Sequence, residues 1–222
     1  MNTQKKTRRG TRERLPSHPD LHGNAPDKCE TALLLVDVIN DLEFEGGGRL
    51  LKAALPAAQA LAELKQRAIR AGVPCIYAND NFGRWRSDFG AQAKHVVKDN
   101  TRGKPLAELL APSEDDYFVL KVKHSAFYQT CLGLLLEHLG VRSLVLGGIA
   151  TDSCVNMTAN DAYLRGFSLY VLRDGCAAQS SANHSAALKQ MERVLHAKTP
   201  RCRDLSFVRR ADRVAVRLRA SK

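Results

Sequence analysis

The chain predicts an α/β fold, a mostly parallel sheet covered by helices on both faces, and three observations carry that expectation. Short apolar runs alternate along the sequence with longer amphipathic stretches, the strand-then-helix order that builds parallel sheets. The runs are continuously apolar, without polar residues at every second position, so they read as strands buried on both sides. The 222 residues, 44% of them hydrophobic, suffice for one well-buried unit, and no internal repeat divides them.

Each element has its own justification. Ala32 to Val36 is five consecutive apolar residues, the length of a buried strand. The glycines at 46–48 end the loop that follows, and Arg49 to Ala71 carries helical periodicity. Val73 to Ala78 is the second strand. The segment after it is rich in Gly, Arg and aromatics and reads as irregular, followed by a short helix around Leu106 to Leu110. Tyr117 to Leu120 is a third strand, and Phe127 to Leu139 a helix. Ser143 to Leu146 is a fourth strand, broken by Gly147-Gly148, after which Thr151 or Asp152 can cap a helix over Cys154 to Leu164. Leu169 to Leu172 and Ala182 to His196 add a strand and a helix, and Val214 to Val216 offers a short edge strand.

The net charge of +11 belongs to the ends. Residues 1–28 carry 7 Lys/Arg against 3 Asp/Glu and residues 200–222 carry 8 against 2, which leaves 19 basic and 18 acidic residues between them. Residues 1–28 therefore read as a basic, disordered tail and residues 29–222 as a single domain with a basic C-terminal segment. The tail has no apolar core of a secretory signal, and Leu15 is its first large apolar residue after Met1. Its arginines lack interleaved aromatics, so only nonspecific electrostatic contact with nucleic acid is suggested. No apolar run approaches the ~18 residues that span a bilayer. Six cysteines with no C-x-x-C pair suggest reduced thiols in a cytoplasm.

Ligands of parallel sheets bind beyond the carboxyl ends of the strands. Three ionisable residues stand there: Asp37 after Val36, Lys121 after Leu120, and Cys154 in the first turn of the helix after the fourth strand. A charge beside so many apolar residues is costly to bury alone, so Asp37 and Lys121 are expected to pair. At a helix N-terminus the dipole favours a thiolate, which makes Cys154 a candidate nucleophile. The competing reading is a core cysteine and two strand ends facing water.

These residues sit in Leu-Leu-Leu-Val-Asp37-Val-Ile-Asn-Asp, Leu-Lys121-Val-Lys-His-Ser-Ala-Phe and Gly-Ile-Ala-Thr-Asp-Ser-Cys154-Val. In order and spacing they resemble the signatures of the isochorismatase-like cysteine hydrolases, over about Thr31 to His196. The resemblance implies a Rossmann-like three-layer α/β/α sandwich of about six strands ordered 3-2-1-4-5-6. It also implies an Asp37-Lys121-Cys154 triad, an oxyanion hole at Ala150 and Cys154, and a cis peptide at Ile149–Ala150. Lys121 rather than Lys123 is the match, because the family lysine lies four residues before the Ser of Ser-Ala-Phe.

The chemistry expected is hydrolysis of a C–N bond in an amide, ureido or N-carbamoyl group, with Asp37 as base and Lys121 orienting it. Isochorismatases proper lack the cysteine, so Cys154 argues against their activity. Nicotinamidases carry a metal-binding Asp-x-His after the second strand. Here residues 79–89 contain no histidine, and the first one after that strand is His95, so no metal and no cofactor is expected. A metal-dependent nicotinamidase-type amidase and a non-catalytic binding protein on the same fold are the alternatives. Arg84 and Arg86 could hold a carboxylate while Trp85 and Phe127 wall the pocket. Asn40, Asp41 and Glu43 are further candidates for the crevice. His124 could form a Cys154–His124 dyad, and His184 and His196 read as structural. The partners expected are a small amide-like substrate and further copies of this chain in a dimer or tetramer, with no specific nucleic acid and no membrane.

Overall fold

In the computed structural model, which describes residues 29–83, 88–210 and 213–219, the apolar runs assemble into one parallel sheet. Its strands are β1 (Thr31–Val36), β2 (Cys75–Asp80), β3 (Tyr117–Lys121), β4 (Ser143–Ile149) and β5 (Ser168–Ala177), ordered β3-β2-β1-β4-β5. Every residue of the central strand β1 is buried. Alternate side chains leave opposite faces of a strand. Leu33 and Leu35 accordingly join a core with Leu61 and Leu64 of α1 (Gly47–Ala71), Val96 of α2 (Phe89–Lys98) and Leu106 of α3 (Lys104–Leu109). Ala32, Leu34 and Val36 join a second core with Leu136 of α4 (Leu132–Leu139), Ala159 of α5 (Asn156–Leu164) and Met191 of α6 (Ser181–Leu195). The three layers expected from the sequence are present.

The sixth strand is the main departure. After α6 the chain lies parallel to β5 for a single bridge, Tyr170 with Lys198. Lys198 N–H donates to Leu169 O at 2.9 Å, and the N–H groups of Val171 and Arg173 donate to the oxygens of Lys198 and Pro200 at 2.8 and 3.1 Å. Pro200 has no N–H to give back, which cuts this rudimentary strand short. The run at Val214–Val216 pairs elsewhere, in an antiparallel hairpin of β6 (Leu205–Arg210) and β7 (Arg213–Leu218). Leu205 and Val214 bury that hairpin in the α1-side core.

Three local expectations also change. Gly147 and Gly148 continue β4 instead of breaking it. A Cβ on Gly147 would lie 2.4 Å from Leu61 Cδ2, and one on Gly148, at φ 126°, would lie 2.0 Å from Val36 O. The two glycines thus let β4 press against α1 and β1. The helix expected from Phe127 begins only at Leu132, because hydroxyls capture the backbone before it. Ser125 Oγ accepts from Phe127 N–H at 3.2 Å, and Thr130 Oγ1 donates to Ala126 O at 2.6 Å. The segment read as irregular contains α2, capped by Asp88 Oδ1, which accepts from Ala91 N–H at 2.7 Å. Among the described residues no helix is long and apolar enough to cross a membrane.

Candidate active site

Asp37 follows β1 directly and adopts φ 53°, a left-handed conformation that Asp tolerates better than most residues. Its N–H donates to Ala78 O at 2.9 Å, and its Oδ1 accepts from Asp80 N–H at 2.8 Å, which aims the carboxylate across the end of β2. Lys121, the last residue of β3, is fully buried and reaches back to the same point. Its Nζ donates to Asp37 Oδ2 at 2.8 Å and to Lys123 O at 3.2 Å, and it lies 3.7 Å from Asp80 Oδ2. Cys154 Sγ accepts from the same ammonium at 3.7 Å. The three sequence candidates therefore converge from β1, β3 and the segment after β4.

That segment differs from the expected capped helix. Residues Thr151–Val155 form a widely wound π turn that runs straight into α5, with Ala150 in extended conformation before it. The Ile149–Ala150 peptide is cis. Ser153 and Val155 both donate their N–H groups to Ala150 O, at 3.0 and 3.1 Å. Neither Thr151 nor Asp152 caps the turn with its side chain. Thr151 Oγ1 instead meets His184 Nδ1 at 2.8 Å, and Asp152 Oδ2 accepts from Asn183 Nδ2 at 3.0 Å.

The electrostatics also correct the expectation of a thiolate. Burial, reinforced by the nearby Asp37 carboxylate, pushes the Cys154 thiol up to about 12, although Lys121 opposes the shift. The resting group is thus a neutral thiol. Burial raises the Asp37 carboxyl above its ordinary value, against the pull of Lys121 and of a hydrogen bond with Cys154. Burial by itself would lower Lys121, but the Asp37 and Asp80 carboxylates outweigh it and hold the ammonium charged.

These groups open onto a cavity of about 560 Å³. Asp37, Ala150 and Cys154 line it, together with Asn40, Asp41 and Glu43 from the loop after β1. His124 also faces it, its Nδ1 3.6 Å from Cys154 Sγ. Arg84, Trp85 and Arg86 lie outside the described residues. Phe127, expected at the pocket wall, is instead 5% exposed in the α4-side core. Its ring packs against Phe167 at 6.0 Å and under the Arg165 guanidinium at 4.8 Å, because the turn before α4 directs it inward.

A family model described as Isochorismatase domain matches residues 31–199. The chain belongs to the isochorismatase family. It is 40% identical over 173 residues to the uncharacterized isochorismatase family protein YaaI of Bacillus subtilis, covering 77% of this chain and 93% of that one. It is 30% identical to the maleamate amidohydrolase of Pseudomonas putida, covering 71% and 76%. The N-carbamoylsarcosine amidase of Thermoplasma acidophilum superposes with a TM-score of 0.60 at 25% identity, over 78% of this chain and 96% of that one.

Two features of this family member were not singled out from its sequence. Asp80 adds a second carboxylate beside Lys121, and Phe44, Phe82 and Gln179 also line the cavity. The signal for Gln179 was its place just past β5, hidden because that strand runs five residues beyond the apolar stretch that announces it. The Asp-x-His metal site weighed from the resemblance has a poor counterpart in Asp80 and Asn81. Asp80 Oδ1 and Asn81 Oδ1 are turned onto the N–H groups of Phe82 and Gly83, at 2.7 and 2.9 Å, while Asp80 Oδ2 faces an ammonium. Among the described residues no three His, Cys, Asp or Glu side chains converge as ligands. Exhaustive dialysis against a strong chelator is expected to leave turnover unchanged; loss of activity that zinc or manganese restores would contradict this reading.

Proposed function

We propose that this chain hydrolyses the C–N bond of a small amide, ureido or N-carbamoyl compound through a thioester on Cys154. The observation that carries this reading is the single cluster of Asp37, Lys121 and Cys154 at the edge of the cavity, with Lys121 Nζ 2.8 Å from Asp37 and 3.7 Å from Cys154. Relatives named as maleamate and ureidoacrylate amidohydrolases support the bond type. The absence of a disulfide among the described residues fits a reducing compartment.

In this mechanism the Cys154 thiol gives its proton to Asp37 as sulfur attacks the carbonyl carbon. A neutral thiol beside a carboxylate suits that step, since no thiolate has to be maintained in a buried site. The N–H groups of Ala150 and Cys154 receive the developing oxyanion, each worth about 3 kcal/mol. Protonated Asp37 then donates to the leaving nitrogen, and the C–N bond breaks. Asp37 next takes a proton from water, which attacks the thioester and releases the acid, and the proton returns to Cys154 sulfur. Lys121 stays charged throughout and holds the carboxylate in place.

A pH dependence follows from Asp37. Its carboxyl is raised above the ordinary 3.8, so it stays protonated to higher pH and cannot act as base there. The acid limb of kcat/KM is therefore expected above the ordinary carboxylate value, with activity falling as pH falls through it. A limb at or below 3.8 would assign the base elsewhere. The reading as a whole is tested by release of ammonia or amine from maleamate, ureidoacrylate, N-carbamoylsarcosine and nicotinamide. Turnover of at least one by the wild type and none by Cys154→Ala supports it, and equal turnover by both proteins rejects it.

A further inference from the structure

We propose that His184 is a positioning residue of the active site, which holds Thr151, and through it the turn bearing Cys154, against the end of β5. The inference rests on the reading of Cys154 as nucleophile and goes beyond the triad. The ring of His184 is fixed at both nitrogens: Nε2 lies 3.0 Å from Arg173 O on β5, and Nδ1 lies 2.8 Å from Thr151 Oγ1. A carbonyl oxygen only accepts, so Nε2 carries the hydrogen. In the neutral ring Nδ1 is then an acceptor, and the Thr151 hydroxyl donates to it. Thr151 is fully buried, and His184 is the one polar partner recorded for its hydroxyl among the described residues. Losing that partner would leave a buried donor unsatisfied, a cost that the turn would relieve by moving.

Val155 anchors the far end of the turn in the core, and polar contacts hold its start. Its π winding concentrates two backbone donors, Ser153 and Val155, on the one oxygen of Ala150. Such single wide turns recur at functional sites. The neighbouring residue of α6 repeats the grip, since Asn183 Nδ2 donates to Asp152 Oδ2 at 3.0 Å. Two consecutive residues at the start of α6 thus hold two consecutive residues of the turn. Thr151 lies three residues before Cys154 in the same five-residue turn, so a shift at one moves the other relative to Asp37 and Lys121.

The test is a double-mutant cycle on the best substrate of the amide panel. Thr151→Val and His184→Ala are each expected to lower kcat by about tenfold to a hundredfold, the scale of a misplacement near 1 Å, with KM changed by less than about threefold. The double variant loses no more than the worse single one, because both remove the same contact. Thr151→Ser keeps the hydroxyl and His184→Asn keeps an acceptor near the Nδ1 position, so both recover most of the rate. Additive losses, a change confined to KM, or an unchanged kcat in Thr151→Val would overturn the proposal.

Iodoacetamide gives a readout that needs no substrate. In the wild type the Cys154 thiol is held up by burial and by Asp37 and is expected to react slowly at mildly alkaline pH. With the turn released, Cys154 is expected to react at least about tenfold faster, while the buried Cys29, Cys75, Cys176 and Cys202 stay protected. An unchanged Cys154 rate refutes the positioning role even if no panel compound is hydrolysed. If Thr151→Val exposes all four buried thiols, its fold is lost, and the pair His184→Ala and His184→Asn decides in its place.

Discussion

Cys154→Ala is expected to abolish hydrolysis, leaving less than about a hundredth of the wild-type kcat. The argument begins with the geometry of the sulfur. It is the one polarisable nucleophile in the cluster, 3.7 Å from Lys121 Nζ and hydrogen-bonded to Asp37. With it removed, Asp37 could still activate water, but no thioester could form, and water would have to attack the far less reactive amide directly. Alanine has the highest helix propensity and fills less space than cysteine, so the turn should keep its fold. Thermal melting should confirm that to within a few degrees. Asp37→Asn should be nearly as damaging, since an amide cannot take the thiol proton and Cys154, pushed up to about 12, does not shed it unaided near neutrality. His124 is the competitor for that role, its Nδ1 lying 3.6 Å from Sγ. If Asp37→Asn retained most activity and His124→Ala lost it, the base would be the imidazole.

How much of this was legible in the sequence depends on what kind of contact each element makes. The five parallel strands were readable because burial on both faces demands unbroken apolar runs, and Leu33-Leu34-Leu35 supplies both cores at once. Asp37, Lys121 and Cys154 were readable because an ionisable residue at the end of such a run is conspicuous. Elements that depend on partners distant in sequence were not. Gly147-Gly148 reads as a break, yet it is a close approach to Leu61 and Val36, and nothing local announces that. The end of β5 is held in the sheet by its pairing with β4 across a bulge, past the point where its own residues are apolar. The thiol's state is hidden from the sequence for a related reason. A helix-start argument sees the backbone dipole, whereas burial and the Asp37 carboxylate act through space and raise the thiol instead.

Lys121→Met should disable the enzyme and also destabilise it, and the two effects can be separated. The ammonium is fully buried between Asp37 and Asp80, so removing it strands a carboxylate whose side chain is only 6% exposed. Breaking a buried pair from one side costs about 3–5 kcal/mol, which in a chain of this size lowers Tm by roughly 6–20 °C. The deficit has a defined pH dependence. Without Lys121 the folded-state value of Asp37 rises further above its ordinary 3.8, so the folded protein binds the proton more tightly than the unfolded chain does. Stability then falls as pH rises from that ordinary value toward the raised one, and the Tm deficit should narrow on acidification toward that ordinary value. Adding Asp37→Asn removes the stranded charge. The double variant should regain most of the lost Tm yet show no hydrolysis, because base and orienter are both gone. Wild-type Tm in the single variant would mean that Asp37 is solvated or paired elsewhere. Recovery of activity in the double variant would show that the ion pair serves the fold alone, and the proton transfer assigned to Asp37 would have to be abandoned.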